Sequence, residues 1–318
     1  MNAVPPERPV GSLNAAKSSS EAPVHVVFAV DAGFLAYTAI ALWSAATHTR
    51  NLHVHVIHGG NLGPGAHGLR RIVERFGGRI RFYEACLEKL AGLPVTDHVS
   101  IATYFRLSIA ELLPADVTRV IYLDGDLIVR RSLRELYDWP VGAPGVAAVP
   151  EPHAWVESLG MPVGTPYLNA GVLVIDLEYW RQAGVTAKLY EIADTMRDRL
   201  RFWDQDILAL YLQGQWSFLP SHWNVHHRYF FGDTRLPWPQ AEPAIVHFSG
   251  AGLKPPDHKV SHPFADEFWL LAQQVAPFGF TLRSRSRLKA WAQRLRLWRL
   301  GGKSLGGTDQ KLPSRLAS

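Results

Sequence analysis

The sequence predicts an α/β fold: a doubly wound sheet of the nucleotide-binding kind, followed by a basic helical tail. Three observations lead there. Short apolar runs alternate with segments of helical periodicity, as a sheet with crossover helices requires. The run at 120–129, VIYLDGDLIV, is apolar enough for a strand buried on both faces, and it ends by delivering two carboxylates. Between Arg283 and Arg299 stand seven basic residues and no acidic one, although the rest of the chain carries a slight net negative charge. That asymmetry marks a basic appendage and argues against a nucleic-acid-binding core.

The elements follow in order. Residues 1–23 are polar and rich in Pro, Ser and Ala, with no apolar core of signal-peptide type, and read as a disordered leader. A first strand at 25–30 runs to Asp31 and Gly33. Leu35, Ala39, Leu42 and Ala46 then recur at helical spacing. A second strand is expected at 52–57, and Leu69, Ile72, Val73 and Phe76 form one face of a second helix. Gly77-Gly78 ends that helix, before a third strand at 79–83. Ile101, Tyr104, Phe105, Ser108 and Leu112 make a further helix, stopped by Pro114. Beyond the central strand come a short strand at 145–149, a loop at 152–166 and a buried strand at 172–175 preceded by Asn169-Ala170-Gly171. A long amphipathic helix at 185–201 and another opening on WDQDILALYL follow. The last strand, 244–248, leads through His247 into the Gly- and Pro-rich GAGLKPPDHK. This alternation points to a parallel, doubly wound sheet.

Length and composition set bounds. The chain has 318 residues, 47% hydrophobic and 19% charged, enough for one sizeable core. The single cysteine, Cys86, excludes an intramolecular disulfide and a cysteine zinc site, and fits a reducing compartment. No window of 18 apolar residues occurs, so no membrane-spanning helix is expected.

The chemistry gathers at strand ends. In extended backbone, residues i and i+2 point the same way, so Asp124 and Asp126 can face one point. Gly125 between them leaves that point unobstructed. Two such carboxylates repel unless a cation or shared proton intervenes, and a hard divalent metal suits them. Asp-Gly-Asp is also a common turn sequence. His247 ends an apolar strand, where an imidazole serves either packing or ligation. Two carboxylates and one imidazole with open positions suit Mn²⁺ or a similar ion, phosphate oxygens taking the remaining sites. Lys254, on the following loop, can meet a phosphate as a point charge. Asp204 and Asp206 suit the positive end of a helix whether or not they do chemistry.

Taken together and in order, FAVDAGF, SIATYFRL, VIYLDGDLIV, YLNAGVLVIDL, WDQDILAL, Trp223-Asn224 and HFSG…KP resemble glycosyltransferase family 8. These are retaining nucleotide-sugar transferases that include bacterial lipopolysaccharide galactosyl- and glucosyltransferases. The resemblance spans about 25–264 and implies a GT-A fold with a mixed sheet in a domain at 24–278. It implies a metal, Mn²⁺ or Mg²⁺, held by Asp124, Asp126 and His247, and a UDP-hexose donor. Asp31 would read the uracil edge, with Phe34 near the base, Arg106 on the donor and Lys254 on the diphosphate. Asn169, Asp204 and Gln205 would line the donor sugar, the last two as the catalytic pair. The acceptor would be a glycan or lipid-linked molecule, as in lipopolysaccharide synthesis, and no nucleic-acid partner is expected. Two departures stand out: Gly33 replaces an asparagine common in relatives, and HFSGAGLKPP is one residue longer than usual, with Pro256 in place of tryptophan.

The tail at 279–300 reads as an amphipathic helix. Leu288, Trp291, Leu295 and Trp298 share one face, and the cations fall largely elsewhere, a pattern suited to an anionic membrane surface. A cytoplasmic enzyme peripheral to the inner face of the cell membrane follows from that reading, with 301–318 disordered. Two alternatives differ in class. A sugar nucleotidyltransferase would bring a basic, Gly-rich loop after the first strand, which FAVDAGFLAY lacks. A non-catalytic sugar-nucleotide binder at the membrane would be expected to lose one of the three metal-ligating residues.

Overall fold

The computed structural model describes residues 22–282, apart from 96–99, 152–155, 232–238, 251 and 256–261. Nine strands lie among them: β1 (Val24–Val30), β2 (Leu52–His58), β3 (Arg79–Glu84), β4 (Arg119–Leu123), β5 (Leu127–Val129), β6 (Val146–Pro150), β7 (Leu168–Asp176), β8 (Ser217–Phe218) and β9 (Ile245–His247). The helices are α1 (Leu35–His48), α2 (Pro64–Arg75), α3 (Ile109–Leu112), α4 (Arg134–Tyr137), α5 (Leu177–Gln182), α6 (Val185–Thr195), α7 (Trp203–Leu212), α8 (His227–Phe231) and α9 (Ala265–Val275).

Seven strands form one sheet in the order β3-β2-β1-β4-β7-β6-β8, and β5 with β9 forms a separate antiparallel pair. The first four are parallel, joined by helices over the faces, as the alternation predicts. β7 reverses direction between β4 and β6, so the sheet is mixed. Strand periodicity divides the core in two. Val26, Phe28, Ile121, Leu123, Val172 and Val174 pack with α1, α2 and α9 on one face, and Val27, Val120, Tyr122, Leu173 and Ile175 pack with α5–α7 on the other.

Three elements differ from expectation. The segment Ile101–Ser108 is a 3₁₀ helix, passing into α3 only for its last turn. The long helix expected at 185–201 stops at Thr195, with a 3₁₀ turn at Arg197–Arg199. The short helix α8 stands in a stretch where the periodicity predicts no element. Of the tail, only 279–282 are described. They are not helical, and Phe280 packs on Gly68 of α2. The amphipathic helix and most of the leader lie outside the described residues. No described helix is long and apolar enough to cross a membrane.

The reversal of β7 positions the functional edge. The carboxyl ends of β1, β4 and β6 share that edge with the amino end of β7, so Asp31, Asp124, Glu151 and Asn169 arrive at one side of the sheet. β7 is also bulged: Ala148 pairs with Leu173 but Val149 pairs with Asn169, leaving 170–172 without a β6 partner in the ladder. A bulge re-aims side chains and frees backbone groups, which then need partners.

Candidate active site

Side chains supply those partners. The Ala170 N–H donates to Gln205 Oε1 at 2.9 Å, and the Ala170 carbonyl accepts from Arg106 Nη1 at 2.6 Å. The Gly171 N–H donates to Asn169 Oδ1 at 3.0 Å, and its carbonyl accepts from Asp124 N at 2.9 Å. Gln205 and Arg106, both expected to face the donor, thus also hold the bulge in place.

Asp124, Asp126 and His247 come together, each offering a ligand atom within 4.8 Å of the others. β4 ends at Leu123 and β5 begins at Leu127, so the two aspartates flank the break. β9 lies antiparallel to β5 with His247 opposite Leu127, next to Asp126. His247 Nε2 lies 3.2 Å from Asp126 Oδ1 and 3.5 Å from Asp124 Oδ2. Lys254 Nζ lies 2.8 Å from Asp126 Oδ2.

Asp126 and His247 are both buried, and charge decides their protonation. Burial pushes the Asp126 carboxyl up, but Lys254 and His247 outweigh it and hold the group well below the usual carboxylate range. Burial pushes His247 down, but Asp126 and Asp124 outweigh it and the net direction is up.

The residues fit a divalent cation. Two carboxylates and an imidazole are the donor set such ions use, and their ligand atoms converge within 4.8 Å of one another. Gly171 is part of that fit. A Cβ there would stand 2.2 Å from His247 Cε1 and 3.0 Å from Asp124 Oδ2. Gly125 has a different reason from the one expected. Its missing Cβ accommodates the protein itself, since that atom would meet Thr38 Oγ1 at 2.6 Å and Phe34 Cδ1 at 2.9 Å.

Arg106 ties Asp124 to Asp204. It is buried, its guanidinium 4.2 Å from the centre of the Tyr122 ring. Its Nη2 lies 2.9 Å from Asp124 Oδ1, and its Nε lies 2.8 Å from Asp204 Oδ2 while donating to Thr103 O. All three nitrogens are engaged, so Arg106, expected to meet the donor, also holds protein groups of the site in place. Asp204 also accepts from the Thr103 hydroxyl. Burial pushes its carboxyl up to about 6, against the opposing pull of Arg106 and Thr103.

Asp204 and Gln205 sit in the first turn of α7, whose opening residue, Trp203, has φ +50. A bulky side chain rarely occupies that region. The turn is fixed by buried Asp206, whose Oδ2 accepts from Arg201 N and Phe202 N at 2.7 Å each and whose Oδ1 accepts from the Tyr167 hydroxyl. Asp206 is therefore the structural acid of the pair and Asp204 the one near the metal cluster.

At the end of β1, Asp31 caps the following 3₁₀ turn through Oδ1, which accepts from Phe34 N at 2.9 Å. Phe34 stacks on Tyr37, with Lys254 Nζ 5.8 Å from its ring centre. Phe34, expected near the base, thus adjoins the Asp124–Asp126–His247 cluster. Asn169 is 7% exposed and donates through Nδ2 to Glu151 Oε2 at 2.8 Å. Glu151, Thr103, Tyr122 and Gly171 also belong to this cluster of contacts, and none of them stands out in the sequence. A carboxylate ending a parallel strand was the available signal for Glu151.

Comparisons agree with this geometry. Residues 25–257 match the model of Glycosyl transferase family 8. General stress protein A of Bacillus subtilis is 28% identical over 268 residues, 77% of this chain and 92% of that protein. Lipopolysaccharide 1,3-galactosyltransferase of Salmonella typhimurium is 25% identical over 83% of this chain and 82% of its own length. Among solved structures, the galactosyltransferase LgtC in complex with donor and acceptor sugar analogues superposes with a TM-score of 0.72 at 29% identity, covering 79% of this chain and 96% of that one.

Proposed function

The chain belongs to glycosyltransferase family 8 and has the GT-A fold, and from that premise we propose that it moves a hexose, galactose or glucose, from a UDP-sugar to a glycan or lipid-linked acceptor, with retention at the anomeric carbon. The observation that carries this reading is the Asp124–Asp126–His247 cluster, set beside Phe34 and Lys254 at the ligand-binding edge of the sheet.

Held by those three residues, Mn²⁺, or Mg²⁺ in its place, would offset the charge that develops on the departing diphosphate. The protein's own groups do the rest. Asp31 keeps Oδ2 for the uracil N3–H while Oδ1 caps its turn, and Phe34 lies along the base. Lys254 sets a positive charge beside the phosphates. Asp204 and Gln205 line the sugar, the carboxylate facing the positive character that grows at the anomeric carbon; Asn169 closes the same side. Transfer proceeds on one face: the bond from anomeric carbon to phosphate oxygen breaks, the acceptor oxygen bonds to that carbon, and the acceptor proton passes to the leaving phosphate.

The catalytic domain is assigned to 24–278, and 279–300 to a basic segment that rests on anionic lipid, so that the enzyme works at the cytoplasmic face of a cell membrane on a lipid-borne acceptor. Support comes from the one-sided charge of the tail and from the lipopolysaccharide transferase among the relatives.

A donor panel tests the reading. The protein is incubated with Mn²⁺ and UDP-, GDP- and ADP-hexoses, and slow donor hydrolysis is followed by mass spectrometry. UDP-galactose or UDP-glucose should be consumed first. Preference for a guanosine or adenosine donor overturns the assignment of Asp31.

A further inference from the structure

His247 has two ring nitrogens, and a metal can use only one that carries no proton. Nε2 faces Asp124 and Asp126, whereas Nδ1 lies 3.0 Å from Asn224 Oδ1. The two carboxylates favour a proton on Nε2 while no ion is bound, so which nitrogen keeps its proton once an ion takes the other depends on which end of the Asn224 amide meets Nδ1.

That orientation is decided further away. Glu151 Oε2 belongs to a carboxylate, which as an ion accepts only, so the Asn169 atom 2.8 Å from it is the amide nitrogen. A second, independent constraint agrees: the Gly171 backbone N–H can only donate, and it meets Asn169 Oδ1. Asn169 Oδ1 also lies 2.7 Å from Asn224 Nδ2, so the Asn224 amide is oriented in turn, with its oxygen toward His247. Arg228 Nε, 2.7 Å from Glu151 Oε1, closes the far end with an ion pair. Glu151, Asn169, Asn224 and His247 are exposed by 8%, 7%, 0% and 3%, which leaves little room for water to replace these partners.

We propose that Glu151, Asn169 and Asn224 form a one-way hydrogen-bonded chain that presents Asn224 Oδ1 to the Nδ1–H of His247, so that Nε2 is the nitrogen given up to an ion. The three are positioning residues: they act on the ion through His247. The inference deepens the proposed metal site and rests on it. It also gives Asn169 a task distinct from contact with the donor sugar.

Nitrogen-15 NMR of histidine-labelled protein saturated with diamagnetic Mg²⁺ at pH 9 tests it, with the His247 resonances assigned by their loss in His247→Gln. The wild type should show a protonated Nδ1 and a bare Nε2. A protonated Nε2 overturns the proposal, and that observation needs no variant to fold. Asn224→Leu removes the acceptor, so it should lose the tautomer bias and weaken Mn²⁺ binding, followed by electron paramagnetic resonance, by about tenfold or more. Wild-type affinity in Asn224→Leu overturns the chain's role. Failure of the wild type to bind Mn²⁺ at all overturns instead the metal reading on which the inference rests.

Discussion

Gly171 and His247 are in contact so close that the glycine has no room for a methyl group: a Cβ would stand 2.6 Å from Nδ1 and 2.2 Å from Cε1 of the imidazole. Gly171→Ala must therefore push the ring off its place. Overpacking of this kind costs about 1–3 kcal/mol of stability. The larger effect is expected on the ion, with Mn²⁺ affinity falling about tenfold or more by calorimetric titration. Unchanged affinity would mean that His247 is not a ligand.

Asp124→Asn or Asp126→Asn replaces a charged ligand with a poor one. Turnover of the UDP-sugar should be lost while circular dichroism stays that of the wild type. Addition of EDTA should stop the wild type, and Mn²⁺ should restore it. Full activity in EDTA would remove the metal from the mechanism.

Arg106→Lys separates a structural cation from one that only meets donor. A lysine cannot reach Asp124, Asp204 and the Ala170 carbonyl at once, and it leaves buried groups unpaired. The loss is about 3–5 kcal/mol, seen as a fall in melting temperature of several degrees without ligand. A variant with wild-type melting and weakened UDP binding would return Arg106 to the donor-contact role.

Acid stability should be set by buried histidines. His55 and His262 are pushed by burial down to about 3. Between 6.5 and 3 the unfolded chain binds protons that the folded one refuses. Their stabilisation is complete above pH 6.5 and is lost as pH falls, by about 1.4 kcal/mol per unit for each residue. Asp204, raised to about 6 by burial, acts in the opposite sense: its contribution is complete below the ordinary carboxylate value and lost as pH rises through 6. Two histidines outweigh one aspartate, so melting temperature should decline from pH 6.5 to 4.5. His262→Asn should flatten the slope. A melting temperature that rises over that range counts against the buried-neutral histidines.

The tail prediction is independent of the site. The full chain should float with anionic vesicles at low salt, each basic residue adding about 1 kcal/mol at most, and a truncation after Phe280 should not. Equal behaviour of the two would show that the tail is not the anchor.

That Asp124, Asp126 and His247 come together was legible because each lies at the end of an apolar run or beside it, and an open α/β sheet binds ligands at its strand ends. Asp124 and Asp126 follow β4 and His247 closes β9, as the periodicity indicates. Glu151 and Asn224 were not, because their roles depend on the reversal of β7 and on its bulge, neither of which leaves a mark in hydrophobic periodicity. Arg106 was legible as a cation near the site. Its seat on Tyr122 was not, since i to i+16 contacts between a 3₁₀ segment and a strand have no local signature. Helix lengths were overestimated at 185–201, where apolar spacing continues past the point at which backbone hydrogen bonding tightens.

The pairing of β5 with β9 has a consequence for the order in which the chain matures. Asp126 and His247 are 121 positions apart, so the two aspartates leave the ribosome well before the imidazole that neighbours them. Until the β9 segment arrives, β5 has no partner in its two-stranded ladder and the carboxylates have neither His247 nor Lys254 beside them. Closing so long a loop is slow relative to local folding. The binding edge would thus be the last part of the domain to form during synthesis, and nascent chains halted before residue 245 should resist protease in the β1–β4 half while showing no affinity for nucleotide.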